Sequence, residues 1–174
     1  MNLKVGSKVF YPLHGAGWIR NEKEIEFAGE KKKYYEFELI TSLLSISTPV
    51  ENIESLGIRP VLPVKEIKEK LSVLSKKPTA DPKVKDFNVM LNTFKELEES
   101  AKIEDSVKII QYCNFVKKKR EKEGRLIPVS IEKQLESAIK NVVGELAVAS
   151  NISLEKATEE FTKITDIVAE VSKD

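Results

Sequence analysis

The apolar residues of this chain change their spacing near residue 60, from strict alternation to a helical repeat. Before that point, Tyr35, Phe37 and Leu39 occupy alternate positions with glutamates between them, which is typical of a strand with one buried face. After it, apolar residues recur every three or four positions, as on one side of a helix. The sequence therefore predicts a β domain over residues 1–60 and an all-helical bundle over residues 61–174.

The first half contains four short segments rich in β-branched or aromatic residues, at 8–12, 16–24, 33–40 and 44–50. Turn signals separate them, including a tight reversal in which Gly15 and Gly17 give the backbone freedom. Four or five strands within 60 residues favour a small, bent barrel of the SH3 or Tudor type over a sandwich. Glycine-containing hairpins occur in every class of β-protein, so this reversal alone identifies no partner.

The second half begins after a link at 57–63, whose two prolines disfavour helix. Periodicity predicts helices at 64–75, 82–101, 104–123 and 130–150, and a fifth helix that starts at the N-cap Ser153. The centre of the bundle is predicted to be the apolar stripe of the fourth helix, Ile131, Leu135, Ala138, Val142 and Leu146. The last helix is predicted to pack through Leu154, Ala157, Phe161, Ile164 and Val168.

The charge balance argues against a strong general affinity for nucleic acid. The chain has 29 basic and 28 acidic residues, and residues 1–60 have 8 of each. Any DNA contact must therefore depend on local basic patches. No stretch reaches the roughly 18 apolar residues of a membrane span, and the first residues lack a secretory pattern. With a single cysteine, this indicates a cytoplasmic protein without a membrane contact.

The chain offers few groups for bond chemistry, so we expect no enzyme, no metal and no cofactor. His14 is the only histidine, and Cys113 falls between apolar residues of a helix, where a buried small side chain is expected. No phosphate-binding loop is present. The adjacent carboxylate pairs are expected to be solvated surface: Glu98 and Glu99, Glu104 and Asp105, Glu159 and Glu160.

Two basic groups are candidates for binding DNA phosphates. The first lies at the end of the third long helix and consists of Lys117, Lys118, Lys119, Arg120, Lys122 and Arg125. Positive charge near a helix C-terminus also favours the backbone dipole, so a purely structural role stays open. The second group includes Lys83 and Lys85 and precedes Phe87, which is either a minor-groove wedge or a core residue.

Several motifs, in order, resemble the CarD/CdnL family of bacterial transcription regulators, whose first domain is shared with transcription-repair coupling factor. The N-terminal motif reads Val5-Gly6-x-x-Val9-x-Tyr11-Pro12-x-His14-Gly15, and Ala28-Gly29-Glu30 is followed by Tyr34-Tyr35. Further matches are Pro49-Val50-Glu51-Asn52, Leu56-Gly57-Ile58-Arg59-Pro60-Val61 and, in the helical half, Gly144-Glu145-Leu146-Ala147-x-Ala149.

The resemblance implies a Tudor-like barrel that docks on the β subunit of RNA polymerase, mostly by pairing at a sheet edge. The candidate edge is Ser45, Ile46, Ser47 and Thr48 before Pro49. The helical domain would touch promoter DNA weakly, near the upstream edge of the melted region, and so alter open-complex stability without catalysis. Oligomeric state is left open, with a monomer as the working expectation.

This chain departs from the family pattern at positions that bear on both contacts. Phe87 stands where relatives place a tryptophan wedge, and the basic residues that usually follow it are missing. Ser47 and Ile25 stand where relatives often have arginines that assist polymerase contact. Three hypotheses follow: a regulator that binds polymerase and DNA, an adaptor that binds only polymerase, and an enzyme or ligand-binding protein on a recycled fold. The first is preferred.

Overall fold

The computed structural model describes residues 3–27, 29–76 and 87–173. The N-terminal part is a five-stranded antiparallel sheet in the order β4-β3-β2-β1-β5. Its strands are β1 (Lys8–Tyr11), β2 (Gly15–Phe27), β3 (Glu30–Leu39), β4 (Ser45–Pro49) and β5 (Arg59–Pro60). A short 3-10 turn, Val50–Asn52, follows β4. The four strands predicted from the sequence are confirmed, and β2 and β3 extend farther towards their shared turn than predicted.

The alternation along the strands separates two apolar cores. Val9 and Tyr11 of β1 pack with Tyr35, Phe37 and other residues inside the β domain. Phe10 points to the opposite face and packs with Ala101 and Val148 of the helical part. Strand β1 therefore has no wet face, because one side closes the β core and the other receives the helices.

Gly17 allows β2 and β3 to pair without distortion. A Cβ atom at this position would lie 2.1 Å from the carbonyl oxygen of Glu38 and 2.8 Å from the Cα of Leu39. Gly15, at the start of the same strand, has φ +94°, a conformation that L-residues rarely adopt. The glycine reversal read from the sequence thus reflects one steric need and one conformational need.

The predicted link at 57–63 contains a strand that the sequence did not predict. Arg59 and Pro60 form β5 and oppose Phe10 and Val9 of β1. Proline is compatible with a strand at the edge of a sheet, where its missing N–H leaves no neighbouring acceptor unpaired. The link therefore completes the sheet before the chain enters the helices.

In the described residues, five helices follow the sheet. They are α1 (Val64–Leu71), α2 (Phe87–Glu99), α3 (Ile103–Lys122), α4 (Val129–Ser150) and α5 (Leu154–Thr165), and a 3-10 turn (Ser72–Ser75) extends α1. Residues 82–86 of the predicted second helix lie outside the described residues. The Ser153 side chain accepts a hydrogen bond from the Lys156 N–H, which confirms the predicted cap of α5. No helix in the described parts of the chain is long and apolar enough to cross a membrane.

The apolar stripe of α4 is buried at the centre of the helical core, as predicted. The prediction for Val168 is wrong, because α5 ends at Thr165 and Val168 is 85% exposed. Asp166 adopts φ +58° and ends the helical repeat. Beyond it, alternate residues Ile167, Ala169 and Val171 pack against the core, so the spacing of three and four no longer holds.

Candidate protein-binding and DNA-binding surfaces

The β4 strand forms one edge of the sheet and pairs only with β3. The helical part packs on other strands of the sheet, since α4 contacts β2 and β1. Within the described residues, no backbone hydrogen bond joins β4 to an element other than β3. The segment predicted as the docking edge, residues 45–49, is therefore an unpaired sheet edge.

The register of the sheet determines which main-chain groups of β4 face outward. In antiparallel strands, opposed residues alternate between pairs that exchange both main-chain hydrogen bonds and pairs that exchange none. The N–H of Ile40 donates to the carbonyl oxygen of Ala16 at 2.9 Å, which makes this a bonded pair. Three positions along the register, Phe37 opposes Ile19 as a non-bonded pair. Phe37 therefore directs its N–H and C=O to β4, where it opposes Ile46.

It follows that Ile46 directs its N–H inward to β3, whereas the N–H and C=O groups of Ser45 and Ser47 face outward. The outward-facing main-chain groups of these two serines are here called the β4 rim. Their side chains are exposed as well. A partner strand laid along this rim would find two donors and two acceptors at the spacing of a sheet.

The remaining residues predicted to contact polymerase contribute in different ways. Thr48 is buried, and its hydroxyl lies 3.2 Å from the hydroxyl of Tyr11, so its side chain belongs to the core. Ile46 is half-buried against the core of the β domain. Ile25 lies on β2 opposite Lys32, beyond the stretch of β3 that β4 covers. The structure thus unites residues 45–49 in one strand and leaves Ile25 apart from them.

The opposite edge of the sheet is closed by the helical part. The Arg59 guanidinium donates two hydrogen bonds to the Glu145 carboxylate of α4, at 2.6 and 2.9 Å. It also donates to the carbonyl oxygens of Ala101, at 2.8 Å, and Pro60, at 3.0 Å. The Glu145 carboxylate accepts a further bond from the Leu62 N–H at 3.0 Å and is 1% exposed. These contacts are here called the β5 closure.

Two other contacts bring α4 close to the sheet, and a third joins two of its strands. The Lys8 ammonium donates to the carbonyl oxygen of Ala149 at 3.0 Å. Gly144 lets the helix approach the turn after β3, since a Cβ there would lie 3.1 Å from the Thr41 Cγ2 atom. The Arg59 guanidinium also lies over the ring of Phe10, 4.6 Å from its centroid. The motif residues of both halves, Arg59-Pro60 and Gly144-Glu145, therefore meet at one interface.

The first predicted basic group lies at the C-terminal end of α3 and in the loop that leads to α4. Lys118, Lys119 and Arg125 are exposed, and Lys117 and Arg120 are half-buried. The Arg120 Nη1 atom donates to the carbonyl oxygen of Leu126 at 3.1 Å. This group therefore presents a basic end of the molecule while one of its members also holds the loop.

The lysines of the second predicted basic group have no described position relative to the first group. Lys83 and Lys85 lie outside the described residues. Phe87 is the first residue of α2, and its role as wedge or core residue stays a prediction. Met90 and Phe94, farther along the same helix, are buried in the helical core.

The titratable side chains that could support bond chemistry have structural roles. Burial raises the pKa of the Cys113 thiol to about 12, so it is an un-ionised core side chain, as predicted. Asp105 was predicted to be solvated and is instead buried. Burial alone would raise its pKa, but hydrogen bonds from Lys108 and Ser100 lower the pKa overall. Glu98 is half-buried, and burial raises its pKa.

The described residues form a surface groove but no cluster of metal-ligating side chains. In the described parts of the chain, no group of three or more histidine, cysteine or carboxylate side chains is placed to hold a metal ion. A groove of about 480 Å³ lies between the turn at Leu13 and His14, the loop at Thr41, residues 133–141 of α4, and the chain near Glu170. The His14 ring packs edge-on against Tyr11, with centroids 4.8 Å apart.

Comparison with known proteins agrees with the motifs. Residues 3–62 match the family model of the CarD-like/TRCF RID domain. A Bacillus subtilis (strain 168) protein with the name "Putative transcription factor YdeB" is 27% identical to this chain over 158 residues, which cover 91% of this chain and 98% of that protein. The resemblance predicted from the sequence is confirmed.

Proposed function

We propose that the protein is a non-catalytic transcription regulator that docks on RNA polymerase, because residues 3–62 match the family model of the CarD-like/TRCF RID domain. The docking surface is the β4 rim, and its partner is a strand of the polymerase β subunit. The observation that carries the proposal is the unpaired edge at residues 45–49, because an exposed edge is a template for adding a strand from another chain.

The proposal assigns polymerase binding to a Tudor-like domain, residues 1–60, and DNA contact to a helical domain, residues 61–174. The basic end of α3 supports the second assignment, since lysine and arginine side chains can bind phosphates without reading sequence. A weak contact of this kind, near the upstream edge of the transcription bubble, would change the stability of the open complex.

The β5 closure supports a joint action of the two parts. It ties α4 to the sheet through Arg59 and Glu145, so the basic end of α3 is held at a set position relative to the β4 rim. When the rim docks on polymerase, the same rigid connection would present the helical part to nearby DNA. In this proposal the β4 rim binds polymerase, and the β5 closure sets the orientation of the helical part.

The docking proposal is tested by placing a proline at Ser47. Proline removes the N–H that Ser47 directs outward and leaves the inward ladder to β3 unchanged. We expect purified RNA polymerase to lose capture of Ser47→Pro by at least tenfold relative to the unmodified chain. Ser47→Ala is the matched control, because it removes the hydroxyl but keeps the N–H, and it should be captured normally. Normal capture of Ser47→Pro would place the interface elsewhere.

The DNA contact is tested by footprinting a promoter complex of polymerase with and without the protein. We expect added protection at the upstream edge of the bubble and a changed lifetime of the open complex. Polymerase capture without added protection or a changed lifetime would instead favour the adaptor hypothesis. That alternative draws on the sequence around Phe87, where the basic residues that follow the family tryptophan are missing.

A further inference from the structure

The groove between the sheet and α4 is surrounded by exposed apolar side chains. It lies between the β1–β2 turn, the loop after β3, residues 133–141 of α4 and residues 170–172, and is here called the junction groove. Among the described residues, four large apolar side chains at or beside it are exposed by 61, 75, 75 and 85%: Leu13, Leu43, Leu44 and Val168. Leu13 lines the groove, and the others stand within two residues of a lining residue. Exposed apolar residues gathered around one concave surface are typical of interaction sites, whereas single scattered ones are ordinary.

The two loops that contain the leucines are fixed by hydrogen bonds. Leu13 has φ +66°, a conformation that residues other than glycine adopt only where the surrounding structure holds it. The His14 N–H donates to the carbonyl oxygen of Tyr11 at 3.0 Å across this turn. In the second loop, the Leu44 N–H donates to the Ser42 hydroxyl at 3.2 Å. Since the leucines are already positioned, binding a partner would cost little loop entropy.

One wall of the junction groove is a strand-like segment without a partner strand. Residues 167–172 follow α5 and are here called the C-terminal strap. Ile167, Ala169 and Val171 pack against the helical core, and the residues between them are exposed. In the parts of the chain that the structure describes, no backbone–backbone hydrogen bond involves residues 168–172. The strap therefore presents main-chain donors and acceptors beside the groove, as the edge of a sheet does.

Another wall of the junction groove is a stripe of α4 with charges of both signs. Its residues recur at spacings that place them on one side of the helix: Lys133, Glu136, Ser137, Lys140 and Asn141. The charge along this stripe alternates from Lys133 to Glu136 to Lys140. A peptide with acidic, basic and acidic side chains complements that order. Glu136 and Glu170, which both line the groove, would instead repel the phosphates of a nucleotide or a nucleic acid.

We propose that the junction groove binds an extended segment of a partner protein. The segment pairs with the main chain of the C-terminal strap, places apolar side chains on the leucines, and directs charged side chains to the stripe of α4. A small polar ligand would not need the exposed leucines, and a membrane would not need the main-chain edge. The junction groove is a second docking surface beside the β4 rim, so this proposal goes beyond the proposed function and does not depend on it.

The first test measures binding of the full chain to two short blocked peptides labelled with a fluorophore. One peptide alternates valine with glutamate, lysine and glutamate, and the other has these charges reversed. Fluorescence anisotropy should show binding of the first peptide that is tighter by about tenfold, the equivalent of about 1.4 kcal/mol. No binding of the first peptide, or equal binding of both, would overturn the proposal.

Substitutions on the protein test the charged wall and the leucines separately. Lys133→Glu should remove the preference for the first peptide, and Lys156→Glu on α5 is the matched control that should keep it. Leu43→Ser combined with Leu44→Ser should weaken binding about tenfold, whereas Leu126→Ser, at a leucine that is 91% exposed, should leave it unchanged. All these side chains are exposed, so the variants should retain the unmodified melting temperature. If Lys133→Glu and the leucine pair bind as the unmodified chain does, the peptide binds elsewhere and the proposal is wrong.

Pairing with the C-terminal strap is tested by N-methylation of the first peptide. Successive N–H groups of an extended chain point to opposite sides, so methylating every second nitrogen removes the donors on one side only. One of the two alternately methylated peptides should lose binding, and the other should keep it. Hydrogen exchange should also slow at residues 168–172 when the unmethylated peptide is added, because new hydrogen bonds protect their amides. Equal binding of the two methylated peptides, or unchanged exchange in the strap, would contradict strand pairing.

Two further measurements decide between partners. If a nucleoside triphosphate binds at Lys133 and neither peptide binds, the junction groove is a nucleotide site and the proposal is wrong. If the leucine pair is needed for capture by RNA polymerase and neither peptide binds, the leucines belong to the polymerase interface and the proposal is also wrong. Normal binding of the first peptide by Ser47→Pro would support two separate surfaces, whether or not that variant still captures polymerase.

Discussion

The two edges of the same sheet are treated in opposite ways. At β5, Pro60 lacks an N–H and its carbonyl oxygen accepts from Arg59, whose guanidinium is in turn held by the Glu145 carboxylate. At β4, the rim of Ser45 and Ser47 has no partner among the described residues. The comparison shows that the chain can close an edge with side chains, and that it leaves the other edge open.

Both the closed edge at β5 and the open edge at β4 have a physical cost. Closing the β5 edge takes an ionised carboxylate out of water, which is favourable only because Glu145 has a bidentate partner and a further main-chain donor. Leaving the β4 edge open risks association with other edges, which a short strand with two serines limits. The closed edge therefore serves the fold, and the open edge is the one available to a partner.

The largest effect should come from breaking the β5 closure with Arg59→Leu. This substitution keeps the side chain large but leaves the Glu145 carboxylate buried without its cation, and the loss of one partner of a buried pair costs about 3–5 kcal/mol. The measurement is the free energy of unfolding from urea titration. The unfolding free energy of Arg59→Lys should lie between those of the unmodified protein and Arg59→Leu, because an ammonium keeps the charge but cannot form the bidentate pair.

A loss below about 1 kcal/mol for Arg59→Leu would mean that the apolar contacts of Phe10 and Val148 alone hold the helical part to the sheet. In that case the β5 closure would add little to the free energy of unfolding, and the two edges would differ only in geometry.

A second prediction contrasts two adjacent prolines on the open edge. Ile46→Pro removes an N–H that donates to β3 and should cost about 3 kcal/mol of unfolding free energy, whereas Ser47→Pro removes an outward N–H and should cost less than about 1 kcal/mol. Urea titration of both variants measures the difference. Equal losses would show that the inward and outward assignment of the rim is wrong.

Local periodicity predicted most of the secondary structure but could not predict contacts between its elements. The alternation at Tyr35, Phe37 and Leu39 and the helical stripe from Ile131 to Leu146 both follow from which face is buried, and both are confirmed. Pairing of Arg59 with Glu145 joins positions 86 residues apart. No local pattern encodes that contact, although both residues stood in motifs that supported the family resemblance.

The surface was predicted less completely than the core. Residues 45–49 were assigned to an edge by the resemblance, but the choice of outward residues depends on the register of β3 with both neighbours. The strand β5 was hidden because Arg59 and Pro60 are too short a segment to show alternation. Asp105 was misjudged because its carboxylate accepts hydrogen bonds from Ser100 and Lys108, and a pair of adjacent acidic residues in the sequence does not show these contacts.

The smallest effect should come from the ion pair of Arg20 and Glu38, which resembles the β5 closure in chemistry but lies on the wet face of the sheet. Its atoms are 2.6 Å apart, yet both side chains are about half exposed, at 52% and 49%. Solvent screening limits such pairs, so a double-mutant cycle of Arg20→Ala and Glu38→Ala should give a coupling of about 0.5 kcal/mol at neutral pH.

The pH dependence of this coupling gives a further check on its origin. The hydrogen bond from Arg20 lowers the pKa of Glu38 from its ordinary value of 4.5, so the folded state holds the carboxylate ionised at a pH where the unfolded chain would protonate it. The coupling is then fully present above pH 4.5 and is lost as the pH falls through the lowered pKa of the folded state. A coupling of several kcal/mol, or one that grows in acid, would contradict the view that burial, and not charge pairing alone, separates the closed edge from the rest of the sheet.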